Sequence, residues 1–275
     1  MIELKKLSAE AIPSALMKAH RYRMLNDPDY PVRTLRSTGL FARAVRGSTW
    51  IVLGYGGSQV FRLGANLILT RLLFPEAFGL MALVTVFIVG LGMFSDLGIG
   101  PSISQSKRGD DPDFLNTAWT IQVMRGFGLW LTACALAWPV AWFYAEPALA
   151  YLLPAAAFAL VIAGFEPTRI ETAHRHLLVG RVTALEMLSQ IIGILAMIAF
   201  ALALQSVAAL VIGNLLGATA KLVLTSRYLQ GPANRFRWQR SAASELLHFG
   251  KWIFASTMFG LSLIHISEPT RLWSG

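Results

Sequence analysis

The sequence predicts an all-α fold, a polytopic transmembrane helical bundle made of one six-span lobe and the start of a further span. Three observations carry this reading. The chain is 55% hydrophobic and 14% charged over 275 residues, where a soluble domain carries about 25% charged residues. Six segments reach the roughly 20 mostly apolar residues that a helix needs to cross a hydrocarbon core of about 30 Å. The basic residues gather in alternate connectors, as they do when Lys and Arg set membrane orientation. The net charge of +9 is therefore read as orientation charge. It is not read as a nucleic-acid footprint, because the basic residues sit between apolar runs and not on one face of a polar module. Cys134 is the one cysteine and lies in an apolar run, which leaves no disulfide framework and no cysteine metal site. No cofactor is expected.

Residues 1–46 read as a basic cytoplasmic segment. They are too long and too charged for the n-region of a signal peptide, and no small-residue cleavage site follows the first span. Ser8 can cap a short helix carrying Ile12, Leu16 and Ala19 on one side, and NDPDYP reads as a turn. From Arg33 to Arg46 arginines alternate with Leu35, Leu40, Phe41 and Val45. That pattern fits a juxtamembrane amphipathic helix on anionic membrane lipids better than a protein-binding motif.

The six spans fall at about 48–69, 78–95, 117–138, 148–165, 182–204 and 207–225, forming a lobe over 47–225. Nine Lys or Arg precede the first span, Lys107 and Arg108 follow the second, and Arg169, Arg175 and Arg181 follow the fourth. Six more follow or close the sixth, so 20 of the 24 basic residues share one side. Arg71 stands on the other, which places the N-terminus in the cytoplasm. Residues 226–251 read as a basic cytoplasmic loop between lobes and 252–260 as the start of a seventh span. From Leu261 the sequence turns polar, gains Pro269 and resembles translated sequencing-adaptor read-through. Residues 261–275 are accordingly expected to be an artefactual tail, and the native chain to be longer.

An ionisable residue at mid-span costs about 2.5 to 3.5 kcal/mol on insertion scales, so each one asks for a reason. In the first span Tyr55, Gln59, Arg62 and Asn66 recur at steps of four, three and four, which keeps them within a stripe of about 60°. Such a stripe must face protein or water. Gly54, Gly57 and Gly64 on the other side would admit a neighbouring helix. Asp96, in FSDLGIGPS, lies at a depth comparable to Arg125 in the third span, and the two could pair. Gln122, Arg125 and Thr132 share one face of that span. Thr183, Glu186, Gln190 and Gly193 recur at helical spacing in the fifth, as Asn214 and Lys221 do in the sixth, although Lys221 is close enough to the cytoplasm to snorkel. GNLLG, residues 213–217, is a small-xxx-small packing pair. Polar faces on several spans satisfy one another by converging, so the expected substrate cavity holds Gln59, Arg62, Asn66, Asp96, Arg125, Glu186 and Gln190. A cation-bearing interior of this kind suits a large polar substrate with an acidic group.

An enzyme is not expected. ETAHRHLL, with Glu171, His174 and His176, sits in a short basic loop and reads as solvated side chains. There is no HExxH, no GxSxG elbow and no phosphate loop with its lysine. Trp138, Trp142, Tyr144 and Tyr151 read as an interfacial aromatic belt.

Two stretches, LTRLLFPEAFGLMAL (69–83) and FSDLGIGPSISQSKRGDDPDFLNTAW (94–119), followed by FYAEPALAYLL (143–153), resemble the bacterial polysaccharide-biosynthesis flippases. These belong to the multidrug, oligosaccharidyl-lipid and polysaccharide exporter superfamily. The resemblance covers about 47–260. It implies two lobes of about six spans around a cavity open alternately to either side of the bacterial inner membrane. It also implies an undecaprenyl-pyrophosphate-linked oligosaccharide as the lipid-linked substrate, for O-antigen, lipopolysaccharide or exopolysaccharide. A polysaccharide polymerase and chain-length proteins would be its partners. Cavity cations are implied at Arg62 and Arg125, with Gln105, in the motif after FSDLG, as a further position. A cation-coupled drug exporter of the same superfamily is the alternative, and an integral-membrane glycan-modifying enzyme a more distant one.

Overall fold

The computed structural model describes residues 40–95, 98–176 and 178–267. The readings of the segment before Leu40, of the residues after Ser267 and of Asp96 lie outside these. The chain divides into two units, 1–52 and 53–275. The described part of the first is a helical stretch from Leu40. The second holds the rest of that helix and the others.

Among the described residues every regular element is a helix. In chain order these are α1 (Leu40–Leu72), α2 (Pro75–Phe94), α3 (Ile99–Gln105), α4 (Pro112–Phe143), α5 (Leu149–Gly164), α6 (Arg169–Arg175), α7 (Val179–Leu204), α8 (Ala208–Tyr228) and α9 (Arg240–Ser267). The chain is an all-α, multi-pass membrane bundle. α2, α4, α7 and α8 are each long and apolar enough to cross a membrane, and α5 with α6, bent by 61°, makes a fifth if the pair is one broken span. Among the described residues four or five of the six expected spans thus meet this measure of length and apolarity. α5 alone has 16 residues, about 24 Å at 1.5 Å per residue, which is short of the core thickness. α1 has 33 residues, but Gln59, Arg62, Asn66 and its glycines dilute its apolar content. Large apolar side chains face outward along the spans, as Val60 on α1 (70% exposed) and Val86 on α2 (67%) do, a surface that suits lipid and not water.

The helix starts follow local chemistry. Pro75 opens α2 and Pro112 opens α4, where the fixed proline φ suits the first turn and no N–H is lost. Asp111 caps α4 by accepting the Asp113 N–H at 3.0 Å. Its carboxyl is held below the usual carboxylate range, first by the hydrogen bond from Arg108 and then by that N–H. α7 and α8 are joined by the expected tight turn, with Gln205 in the left-handed region at φ 45° and its N–H on the Ala201 carbonyl at 3.0 Å.

α7 packs along α8, α4 along α5, and α5 also against α8. An apolar core at one end joins Leu69, Val84, Ala137, Leu149, Leu153 and Leu210. At the other end Ile103, Phe114, Ala118, Ala242 and Leu246 form a second core that seats α9 on α3 and α4. The exposed Trp138, Trp142 and Tyr151 surround the α4–α5 turn.

Residues 229–239, expected as part of a loop, run extended along the first turns of α4. The N–H groups of Arg235, Arg237 and Gln239 donate in turn to Asn116 Oδ1 (2.9 Å), Thr120 Oγ1 (3.1 Å) and Thr117 Oγ1 (3.2 Å). Phe236 stacks on Trp119 with ring centroids 4.8 Å apart, and Arg237 pairs with Asp113 at 2.9 Å. Residues 240–251, expected in the same loop, already belong to α9, which continues through Ser267 across Leu261.

Arginines close helix C-termini at this end. A C-terminus leaves carbonyls without intrahelical donors and carries partial negative charge. Arg175 donates to the carbonyls of Ile103 (3.0 Å), Ser104 (3.1 Å) and Ser106 (2.6 Å) after α3, and its Nε lies 3.2 Å from Asp110. Arg169 donates to the Ser226 (3.2 Å) and Leu229 (2.7 Å) carbonyls that end α8. Arg175→Ala is expected to destabilise the chain by about 2 kcal/mol or more, since it strips charged donors from partly buried carbonyls. Melting in detergent checks this against Arg181→Ala, where the side chain is exposed. Equal melting temperatures would remove the capping role.

Candidate functional site

The site is built on one helix crossing. At Gly193 of α7 a Cβ would lie 3.0 Å from the Gly217 Cα of α8 and 3.2 Å from the Gly213 carbonyl. Only glycine lets the two backbones come this close, as the GNLLG pattern leads one to expect. α1 meets α7 at its own glycines, here against side chains. Gly54 meets Thr183, a Cβ at Gly57 would lie 2.9 Å from Met187 Cε, and Ser58 Oγ donates to Gln190 Oε1 at 2.7 Å. Gly64, expected on this packed side, has nothing within 4 Å of its Cβ direction.

Between these helices lies a cavity of about 470 Å³ lined by Arg62, Glu166, Ser189, Gln190, Asn214 and Lys221, with the glycines of the crossing. Arg62 and Gln190 are where the polar-stripe argument places them. Arg62 is exposed, and among the described residues neither a hydrogen bond nor an ion pair reaches its guanidinium. Lys221, expected to snorkel, is paired: its Nζ lies 3.0 Å from Glu166 Oε2 and 3.5 Å from Glu186 Oε1. Glu186 thereby joins the site through Lys221.

Other expected members stand elsewhere. Gln59 donates to the Tyr55 hydroxyl on its own helix at 3.5 Å, and Asn66 is exposed and outside the cavity lining. Gln105 ends α3 at the end seated by α9, far along the chain path from the α7–α8 crossing and outside the lining. Arg125 lines a second cavity of about 270 Å³ with Gln122, Glu166 and Glu171. There its Nε donates to Ser95 Oγ at 3.0 Å and its Nη2 to the Gly92 carbonyl at 2.9 Å, so it caps α2 as Arg175 caps α3. The Asp96 pairing falls outside the described residues. Gln122 donates to the Ala163 carbonyl at 3.0 Å and so caps α5, while Thr132 bonds within its own helix.

Sequence reasoning misses Glu166, Ser189 and the pairing of Lys221. Asn214 and Lys221 carry a signal, their shared face of α8. Glu166 carries none, since it sits in the α5–α6 turn where no period applies. Of the loop histidines, His176 Nε2 meets Asp110 Oδ1 at 2.9 Å. Among the described residues no three of His, Cys, Asp and Glu are placed to hold a metal ion.

In chemical terms the cavity offers one uncommitted guanidinium, one ammonium shared by two carboxylates, and amide and hydroxyl groups between them. It can hold an anion and hydrogen-bond hydroxyl groups around it. A family model described as polysaccharide biosynthesis protein matches residues 68–267, which includes the crossing, Gln190, Glu166 and Lys221. No curated protein and no solved structure matches.

Proposed function

Since the chain belongs to the polysaccharide biosynthesis protein family, we propose that it takes part in flipping a lipid-linked oligosaccharide across the bacterial inner membrane for polysaccharide export. It acts as a transporter and not as an enzyme. The observation that carries this reading is Arg62, a cation that lines a cavity and has no partner among the described residues. An anionic substrate group is the partner such a charge lacks. An undecaprenyl pyrophosphate has such a group, and Gln190, Asn214 and Ser189 suit the hydroxyls of the attached sugars. A polysaccharide polymerase and chain-length proteins are the proposed partners, with anionic lipids around the basic face.

Complementation tests the reading. In a strain lacking the gene, restoring it should return surface polysaccharide, and unchanged polysaccharide in the deletion strain would overturn it. The presence of Glu166 and Glu186 beside the cavity favours a second reading, a cation-coupled drug exporter, whose loss would raise drug susceptibility with polysaccharide intact. The orientation proposed places the N-terminus in the cytoplasm. A reporter active only in the periplasm should work when fused at Glu146, in the α4–α5 turn, and stay silent at Arg235; the opposite pattern would reverse the topology.

A further inference from the structure

Lys221 sits seven residues from the end of α8, and Glu186 seven residues from the start of α7, each about 10 Å in from the same end. Glu166 reaches the same point from the α5–α6 turn. The ammonium has three donors and meets one carboxylate from each of two elements, at 3.0 and 3.5 Å. The cluster therefore carries an excess negative charge. Yet Lys221 lines the same cavity as Arg62, so an anion held by Arg62 has a second cation in its chamber that is already taken.

We infer that Lys221 is an exchangeable second anion ligand, released by Glu166 and Glu186 when a pyrophosphate occupies the cavity and recaptured by them to expel it. The inference rests on the reading of the cavity as a lipid-pyrophosphate site. The physical reason is competition. The ammonium's third donor could reach an anion, but bringing a pyrophosphate beside two carboxylates costs Coulomb energy unless they let go. Occupancy of Lys221 by the carboxylates and occupancy by the substrate therefore oppose each other. Arg62, with no internal competitor among the described residues, supplies a constant hold, and Lys221 supplies one that can be withdrawn. A carrier needs both, because an anion gripped by two permanent cations would bind tightly and leave slowly.

The two roles predict opposite signs. Titration calorimetry on the full chain in detergent, with farnesyl pyrophosphate as the probe, should show affinity falling about tenfold or more in Lys221→Gln, the effect of a lost charge-assisted contact. Lys221→Arg should restore most of it. Glu186→Gln should raise affinity severalfold, since it removes a competitor and leaves the cation. A purely structural cluster predicts the reverse for Glu186→Gln, a loss or no change, and either result would overturn the exchange even where Lys221→Gln fails to fold. Farnesol distinguishes the two levels. Wild-type chain that binds farnesol as well as the pyrophosphate, or binds neither, overturns the lipid-pyrophosphate reading itself and the exchange with it. Wild-type chain selective for the pyrophosphate, but indifferent to Glu186→Gln, overturns only the exchange.

Discussion

Arg62→Gln is expected to lower surface polysaccharide at least tenfold in a strain that depends on this gene, with the protein still present in the membrane at its normal level. Glutamine keeps hydrogen-bonding capacity and most of the length but removes the charge, so the loss isolates the electrostatic contribution. A charge-assisted contact to phosphate is worth about 1.5 to 3 kcal/mol, and each 1.4 kcal/mol is tenfold in affinity. The fold should not suffer, because among the described residues no partner of the guanidinium is abandoned. Arg62→Lys should retain part of the activity, since a point charge remains while the planar fork is lost. Quantifying surface polysaccharide alongside membrane protein level checks this. Normal polysaccharide in Arg62→Gln would remove the cavity assignment, and loss of the protein from the membrane would make Arg62 a structural residue.

Gly193→Leu carries the largest expected effect on stability. A Cβ there already lies 3.0 Å from the Gly217 Cα, and the remaining leucine atoms would have to enter the backbone of α8. The helices can accept them only by moving apart, which opens the α7–α8 interface and the floor of the cavity together. Overpacking of this kind costs about 1 to 3 kcal/mol in soluble cores and occasionally more. Here the obstacle is backbone and not a mobile side chain, so the upper part of that range is expected. Gly64→Leu is the matched control, since nothing lies within 4 Å of that position. Monodisperse yield and melting temperature in detergent should fall for Gly193→Leu and hold for Gly64→Leu. If the two behave alike, the crossing is not what holds α7 to α8.

Much of this is legible in the sequence because it is local. The 3.6-residue period marks the polar stripes of α1, α7 and α8, and the small-xxx-small spacing of Gly213 and Gly217 marks the crossing. Pro112 after Asp111 marks a helix start. Arg62 and Gln190 can be assigned to one interior because each stripe has to face something other than lipid. Charge read in isolation leaves its partners out. Arg169 and Arg175 count as orientation residues in sequence, and Arg125 as a cavity cation, because a loop or span arginine looks the same whatever its donors reach. In the structure each one closes a helix C-terminus that lies elsewhere in the chain. Lys221 reads as a snorkelling residue for the same reason, since its depth along α8 is visible in the sequence and its carboxylate neighbours are not.

That this is an all-α membrane protein, which faces of its helices are polar, and where two helices can touch at glycine are all readable along the chain. These properties repeat along a single helix, so neighbouring residues report them. Which charges meet depends on how the helices pack. Lys221 lies between carboxylates from the α5–α6 turn and from α7, Arg125 ends on α2, and Arg62 is left facing a cavity. No period links such residues, because they come from different helices and turns.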